Sequence, residues 1–338
     1  MHRFTAHALV TSAAAAWAAL CHAGGDPQLY SWGSDLSGET SPPELAFVQV
    51  SAGDNFTIGL RGDGTVAAWG ASGEGQTRSP RGQFTQVAAG AAHGLALARD
   101  GSVHAWGRNT QGQCNVPREH FSEVSAGYFH SAGVTLEQNI VCWGSNGSGQ
   151  CNAPAGTWQH VDAGGWHTVG IRADGTLAGW GWNIYGQAAS PTGTFLAADA
   201  GGMHTVAIRS NGTVQCWGNN FRGQCVAPAG TFVRVAAGEQ FSLGVRSNGT
   251  LAAWGYNGFG QRATPVGDYG SIAAGKDHTV TVGILKADYN CDGVIDGTDL
   301  GLLLASWGGA AADISGDGIT DGTDLGLLIA DWVTLRQH

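Results

Sequence analysis

Two aspartate-rich segments near the C-terminus have the spacing of calcium-binding loops. Around Gly293, the candidate ligands are Asp288, Asn290, Asp292, Val294, Asp296 and Asp299. Around Gly318, the same pattern returns as Asp313, Ser315, Asp317, Ile319, Asp321 and Asp324. Such a loop surrounds one Ca²⁺ with side-chain oxygens, and the residue at position 7 adds its backbone carbonyl. We therefore predict two bound Ca²⁺ ions.

Each loop leads into a short apolar segment, 300–307 and 325–332, which we expect to be helical. A loop followed by one helix, in tandem and with Asp at position 12, resembles a type I dockerin over residues 287–338. The resemblance implies attachment to a cohesin module, often in polysaccharide degradation. Small residues such as Gly297-Thr298 and Gly322-Thr323 stand at the family's recognition positions. The cohesin partner therefore stays open, and the alternative is a tail that calcium only stabilises.

The rest of the chain is a regular repeat of 37 residues. A Trp-Gly pair begins at each of Trp32, Trp69, Trp106, Trp143, Trp180, Trp217 and Trp254. An Ala-Gly pair ends at each of Gly53, Gly90, Gly127, Gly164, Gly201, Gly238 and Gly275. Seven copies of two markers in one phase indicate a repeat architecture, in which the Trp residues belong to the core.

Each copy predicts three short strands, the last two joined by a turn dipeptide such as Asn248-Gly249 or Asp63-Gly64. The third copy has Glu137-Gln138 there, and we expect a looser hairpin. Small sheets at this period stack into a propeller. Because the chain starts with a Trp-Gly strand and ends with an Ala-Gly segment, we predict an all-β fold: a seven-bladed β-propeller, spanning residues 24–286, whose N-terminal strand completes the last blade.

The recurring pattern resembles the repeats of the regulator of chromosome condensation family. It combines Ala-Gly, a position that is usually His, a turn dipeptide, Trp-Gly and Asn-x-x-Gly-Gln, and Ala237 to Gln261 shows it well. The resemblance covers residues 28–286, and the short unit is most similar to bacterial members. Eukaryotic members act as nucleotide-exchange factors on a small GTPase, whereas a bacterial member inhibits an enzyme through loops on one face. The resemblance therefore implies the fold more firmly than the function.

Histidine and cysteine recur at fixed repeat positions. His93, His130, His167, His204 and His278 share one position, which the repeat spreads around the ring, so we interpret them as structural. Two cysteine pairs flank equivalent loops, and in an exported protein they predict two disulfides, Cys142 with Cys151 and Cys216 with Cys225. Cys114 has no matching partner and is expected to be free, and Cys291 occupies a position in the calcium loop that does not bind the ion.

The chain begins with features of an export signal. Arg3 precedes the apolar segment 8–20 and a small-residue cleavage site at 21–23, so we predict a signal peptide over residues 1–23 and an extracellular protein. A lipoprotein anchor at Cys21 is the alternative. No other segment approaches transmembrane length. The net charge is −10 and no basic stripe is present, which disfavours nucleic-acid binding.

Aromatic residues occupy the variable loops that follow both glycine pairs. If the strands alternate in direction, these loops open on one face of the propeller. The candidates for partner binding there are Tyr128, Phe129, Trp166, Trp182, Tyr185, Met203, Phe221, Tyr256 and Phe259. Aromatic side chains on a rigid scaffold are typical of a protein-binding surface.

These observations favour a monomeric, secreted, non-enzymatic protein that binds another protein, such as a target enzyme or a cohesin-like module, or a glycan. No nucleophile elbow, phosphate loop or zinc pair is recognisable in the sequence. The alternative is an enzyme or accessory component of extracellular polysaccharide degradation, associated with glycoside hydrolases, and this alternative depends on the dockerin-like segment alone.

Overall fold

The computed structural model describes residues 29–265, 268–284, 297–305, 307–308 and 319–335. Residues 29–284 form seven antiparallel sheets of three strands each, arranged as the blades of a propeller. The prediction of seven three-stranded blades is thus confirmed. We number the blades from the first complete one along the chain.

The strands are short and of nearly equal length. Blades 1 to 3 contain β2 (Gln49–Ala52), β3 (Phe56–Leu60), β4 (Val66–Gly70), β5 (Phe84–Ala89), β6 (His93–Ala98), β7 (Val103–Gly107), β8 (Phe121–Ala126), β9 (His130–Thr135) and β10 (Ile140–Gly144). Blades 4 to 6 contain β11 (Trp158–Ala163), β12 (His167–Arg172), β13 (Leu177–Gly181), β14 (Phe195–Ala200), β15 (His204–Arg209), β16 (Val214–Gly218), β17 (Phe232–Ala237), β18 (Phe241–Arg246) and β19 (Leu251–Gly255). Blade 7 contains β20 (Asp268–Ala274), β21 (His278–Ile284) and β1 (Leu29–Gly33).

Strand β1 completes the last blade, as the sequence predicts. Leu29 pairs with Val282 and Gly33 with His278, in antiparallel register. The blade sheet therefore joins the first and last strands of the repeat region. This pairing protects an edge of β21 that would otherwise be exposed.

The turn between the second and third strands has the same geometry in blades 1 to 6, where one chain segment connects the two strands. Gly64 and Gly101 occupy it with φ of 83° and 85°. In blade 3, Gln138 takes the same role with φ of 64°, and its N–H still bonds to the Thr135 carbonyl at 2.9 Å. The expectation of a looser hairpin there is wrong, because Gln138 adopts the left-handed conformation and keeps the turn closed.

The hydrophobic core lies between neighbouring blades. Leu95 and Leu97 of blade 2, for example, pack with Phe121, Val124 and Trp143 of blade 3, all buried. Each interface repeats this arrangement with its own residues. Every blade therefore buries its apolar face only when its neighbours are present.

The recurring Trp, His and Gln residues of the repeat form hydrogen bonds between blades. The Trp143 indole N–H donates to the Gln113 carbonyl of the preceding blade at 2.9 Å. His130 Nε2 lies 2.9 Å from the hydroxyl of Thr168 in the following blade, and that hydroxyl donates to the Gln150 carbonyl. The five repeated histidines all make this contact, which confirms that they are structural.

The Ala-Gly pairs form a ring around the propeller axis. A Cβ on Gly164 would lie 2.6 Å from the Gly201 carbonyl oxygen of the next blade, and each of the seven glycines faces the next carbonyl in the same way. The N–H of Gly165 also donates to the Gly201 carbonyl at 3.1 Å. Only glycine allows this approach of backbones, which explains why the pair recurs.

Two helices are described after the propeller: α1 (Gly297–Ala305) and α2 (Gly322–Leu335). They contact each other, and Leu303 and Leu328 are fully buried. Both begin three residues before the predicted segments, and α2 also ends later. No helix in the described ranges is long and apolar enough to cross a membrane. The predicted boundaries at residues 23 and 286 lie outside these ranges.

Candidate functional site

The loops after the two glycine pairs lie together at one face. Within each blade the first residue of the second strand is paired with the last of the third, as His167 is with Gly181. The following loops are adjacent, and Trp166 from one contacts Trp182 from the other, with ring centroids 5.8 Å apart. The predicted single face for these loops is what the structure has.

Six predicted aromatic residues form a continuous chain of rings across blades 3 to 5, which we call the aromatic arc. Successive centroids are 5.1 to 6.4 Å apart, mostly in edge-to-face contacts. The members are Tyr128, Phe129, Trp166, Trp182, Tyr185 and Phe221. Edge-to-face pairs fix the rings against one another, so the arc is a preformed surface.

The arc reaches solvent at its outer end. Phe221 is 81% exposed and Tyr185 is 39% exposed. Tyr256 and Phe259 form a separate pair, 6.3 Å apart, on the next loop. Met203 is half-buried at the repeat position that Trp166 occupies in blade 4.

Three further side chains belong to this surface, beyond those predicted from the sequence. Arg108 stacks over Phe129 at 5.1 Å, and Arg222 over Tyr256 at 5.3 Å. Ile184, beside Tyr185, is 71% exposed. The signal was present in the repeat, because Arg108 shares its position with Trp182, and Arg222 shares that of Tyr185.

The propeller axis contains a cavity of about 250 Å³ lined by the first strand of every blade. On one side of it, His160 Nδ1 lies 2.7 Å from Glu123 Oε1, and Nε2 lies 2.7 Å from the Ala198 carbonyl. Burial alone would lower the pKa of His160, but the Glu123 carboxylate outweighs burial and raises it to about 10. This ion pair bridges blades 3 and 4, and Ala198 belongs to blade 5.

Two aspartates line the same side of the cavity. Asp162 accepts the Ser125 hydroxyl at 2.6 Å and the Ala200 N–H at 2.7 Å, while Asp199 accepts the Ala237 N–H at 2.9 Å. Burial raises the pKa of both carboxyls. The Ser125 hydroxyl lies in the preceding blade and each N–H group in the following one, so the arrangement connects blades. In the part of the chain that is described, no group of three or more His, Cys, Asp and Glu side chains is placed to hold a metal ion.

The predicted calcium ligands fall largely outside the described residues. The exceptions with described side chains are Ile319, exposed, and Asp321, whose Oδ1 accepts the Thr323 N–H at 2.7 Å at the start of α2. Asp299 lies in α1 and Asp324 in α2. The assignment of two Ca²⁺ ions stays a prediction from the sequence.

The two predicted cysteine pairs differ in the structure. Cys216 and Cys225 form a disulfide, whereas Cys142, Cys151 and Cys114 are free thiols. The predicted Cys142 to Cys151 disulfide is therefore not formed here. The Cys151 thiol instead bonds to the Ser145 carbonyl at 3.3 Å and interacts with Cys142, which raises the pKa of Cys142.

Comparison with known proteins identifies the repeat. The model of the Regulator of chromosome condensation (RCC1) repeat matches residues 47–76, 84–113, 121–150, 158–187, 197–224 and 232–261, together more than half of the chain. No curated protein sequence matches this chain.

Solved structures show the same fold. Prp20p of Saccharomyces cerevisiae is similar with a TM-score of 0.70 and 16% identity, over 82% of this chain and 96% of that one. Human WBSCR16 has a TM-score of 0.67 and 19% identity, over 76% and 98%. The ectodomain of the Physcomitrella patens receptor kinase CR4 has a TM-score of 0.59 and 25% identity, over 69% and 71%.

Proposed function

We propose that this chain, which belongs to the regulator of chromosome condensation (RCC1) repeat family, acts without enzymatic chemistry by binding another protein through its aromatic arc. The observation that carries the proposal is the unbroken contact from Tyr128 to Phe221, ending in exposed rings. A glycan is the other class of ligand that would use such rings.

The physical support is the combination of rigidity and exposure. Hot spots of protein interfaces are enriched in Trp, Tyr and Arg, and rings that are already ordered lose little conformational entropy on binding. The arc supplies Trp166, Trp182 and Tyr185 on loops held by buried strands, and Arg108 and Arg222 stand beside it. Prp20p, with the same fold, was studied for its binding to Gsp1p and histones.

The remaining parts of the proposal come from the sequence. Residues 1–23 direct export, so the partner is extracellular. Residues 287–338 bind two Ca²⁺ ions and attach the propeller to a cohesin-like module. In this arrangement the propeller recognises one partner while the C-terminal segment fixes its location.

The test is capture of partners from the secreted fraction by immobilised full-length protein, with calcium and with chelator. The arc variant carries Trp182→Ala within the aromatic arc and Phe259→Ala in the separate pair that Phe259 forms with Tyr256 on the same face. Its control, Leu196→Ala with Val233→Ala, removes two exposed apolar side chains from the opposite end of the inner strands.

We expect a partner that the control retains and the arc variant loses, with a reduction in binding free energy of about 2 kcal/mol or more once the partner is purified. Equal affinity of wild type and arc variant for a purified partner would show that the face is assigned incorrectly.

A further inference from the structure

The residue after each ring glycine lies at the mouth of the axial cavity, on the face that carries the aromatic arc. Around the ring these residues are Asp54, Ala91, Tyr128, Gly165, Gly202, Glu239 and Lys276. The charged ones are neighbours in blades 6, 7 and 1, and Asp277 follows Lys276. The mouth is therefore acidic on the side of blades 6, 7 and 1. In blades 4 and 5, Gly165 and Gly202 place no side chain there.

Tyr128 extends to Gly202, beside the acidic side of the mouth. A Cβ on Gly202 would lie 2.8 Å from the Tyr128 hydroxyl oxygen and 3.0 Å from Glu239 Cγ, so Gly202 leaves the room that the phenol occupies. Burial and the charges of Glu239, Asp54 and Asp277 raise the pKa of Tyr128 well above its usual value. The largely buried hydroxyl thus stays protonated and has no hydrogen-bond partner within the described residues.

Negative charge at the mouth is only partly neutralised. Lys276 Nζ lies 3.9 Å from Glu239 Oε2, the one ion pair there. The Asp54 carboxylate makes no hydrogen bond with any described residue, and burial raises its pKa to about 6. Burial also raises the pKa of Glu239 and Asp277. A partly buried carboxylate without a partner is costly, and a cation placed beside it would remove that cost.

The aromatic arc and the acidic mouth adjoin each other through one residue. The Tyr128 ring is 5.1 Å from Trp166 in the arc, while its hydroxyl lies beside Glu239. A single segment of a partner can therefore cover the rings and reach the mouth. The cavity behind the mouth, about 250 Å³, has room for a side chain.

We propose that the partner contacts this face with a basic apolar segment, whose Lys or Arg side chain enters the mouth between Asp54, Glu239 and Asp277 while neighbouring apolar side chains pack on the aromatic arc. This inference rests on the proposed function and specifies the chemistry of its partner. The aromatic rings supply affinity, and the carboxylates select for a positive charge.

The probe is a phage-displayed library of random peptides, selected on the immobilised full chain in calcium. Selections run in parallel on wild type, on Asp54→Asn with Glu239→Gln, and on Trp182→Ala. The control is Asp100→Asn, which removes a carboxylate from a turn on the opposite face, where Asn211 and Asn248 serve in other blades.

We expect wild type and control to select peptides in which Lys or Arg neighbours apolar residues. Replacing that basic residue by Gln in a synthetic peptide should lower affinity for wild type at least about tenfold, and should have little effect on the Asp54→Asn, Glu239→Gln variant.

Peptides that require Trp182 but carry no basic residue, and that bind the Asp54→Asn, Glu239→Gln variant equally well, would overturn this inference and leave the proposed function standing. If no selected peptide requires Trp182, both are wrong.

Discussion

His278 in the last blade and Thr57 in the first are in contact across the closure of the ring, with 3.0 Å between Nε2 and the hydroxyl oxygen. The Thr57 hydroxyl proton is donated to the Glu39 carbonyl, so Nε2 must carry the hydrogen and donate it to Thr57. Burial lowers the pKa of His278 to about 4, so the imidazole is neutral near pH 7, and its other nitrogen, Nδ1, has no partner among the described residues.

Acid should destabilise the propeller through these histidines. Burial lowers the pKa of the five imidazoles to about 3 or 4, whereas the unfolded chain titrates near 6.5. Their contribution to stability is complete above pH 6.5 and is lost as pH falls from 6.5 towards 4, because only the unfolded chain binds protons there. At pH 5 the loss is about 2 kcal/mol per histidine.

The variant His167→Phe isolates one of these contributions, since Phe56 and Phe241 occupy the same position in other blades. Between pH 8 and pH 5 its free energy of unfolding in urea should fall by about 2 kcal/mol less than that of wild type. An equal fall in both proteins would mean that His167 is not held neutral.

Adding a side chain at a ring glycine should destabilise the propeller. In Gly164→Ala the new Cβ would lie 2.6 Å from the Gly201 carbonyl oxygen, and moving that backbone would break the Gly165 hydrogen bond to it. We expect a loss of about 2 to 3 kcal/mol in the free energy of unfolding. Gly147→Ala, at a loop glycine with no atom within 4 Å, is the control and should be nearly neutral; equal effects would refute the ring's role.

Replacing Gln138 by glycine should stabilise the protein. Gln138 holds φ of 64° where the equivalent turns of blades 1, 2, 4, 5 and 6 have glycine, and the left-handed conformation costs a residue with a Cβ roughly 1 to 2 kcal/mol. Part of the gain is offset by the greater entropy of unfolded glycine. Chemical unfolding should show Gln138→Gly more stable by about 1 kcal/mol, and a destabilised variant would contradict the assigned strain.

The two cysteine pairs permit a matched comparison. The Cys216 to Cys225 disulfide closes a sequence separation of 9 residues, and its replacement by two serines should cost about 2 to 3 kcal/mol. The equivalent replacement of Cys142 and Cys151 should cost much less, because that pair is reduced. Equal losses on unfolding would instead show that both pairs are bonded in solution.

Chelation should unfold residues 287–338 and leave the propeller folded. Without Ca²⁺ the clustered aspartates repel one another, and metal binding to the native state is lost as a source of stability. Calorimetry should lose one transition, and titration should find two ions in wild type and one in Asp292→Ala. A thermal trace that chelator does not change would count against the calcium sites.

Periodicity made the blades predictable, because Trp-Gly and Ala-Gly mark the ends of strands whose lengths hardly vary. The incomplete first and last copies also predicted that the N-terminal strand completes the last blade, where Leu29 pairs with Val282. The shared face of the loops after both glycine pairs followed from strand direction alone, and the predicted rings from Tyr128 to Phe221 do meet there.

Contacts between blades were beyond sequence reasoning. Nothing in the repeat shows that His278 meets Thr57, 221 residues away, or that the Tyr128 hydroxyl lies beside Gly202. The prediction of a looser hairpin from the residue types at 137–138 also failed, because Gln138 adopts the left-handed conformation that glycine has in the other turns. Equal spacing of two cysteine pairs likewise did not mean equal bonding.

Because β1 pairs with β21, the first strand of the propeller to be synthesised pairs with the last one. At typical translation rates, residues 29–33 leave the ribosome on the order of ten to fifty seconds before residues 278–284. Until then blades 1 to 6 form an incomplete ring, and the blades at its two ends expose apolar surface. Closure is thus a late step of biosynthesis, and the protein is most exposed to misassembly just before its final strand appears.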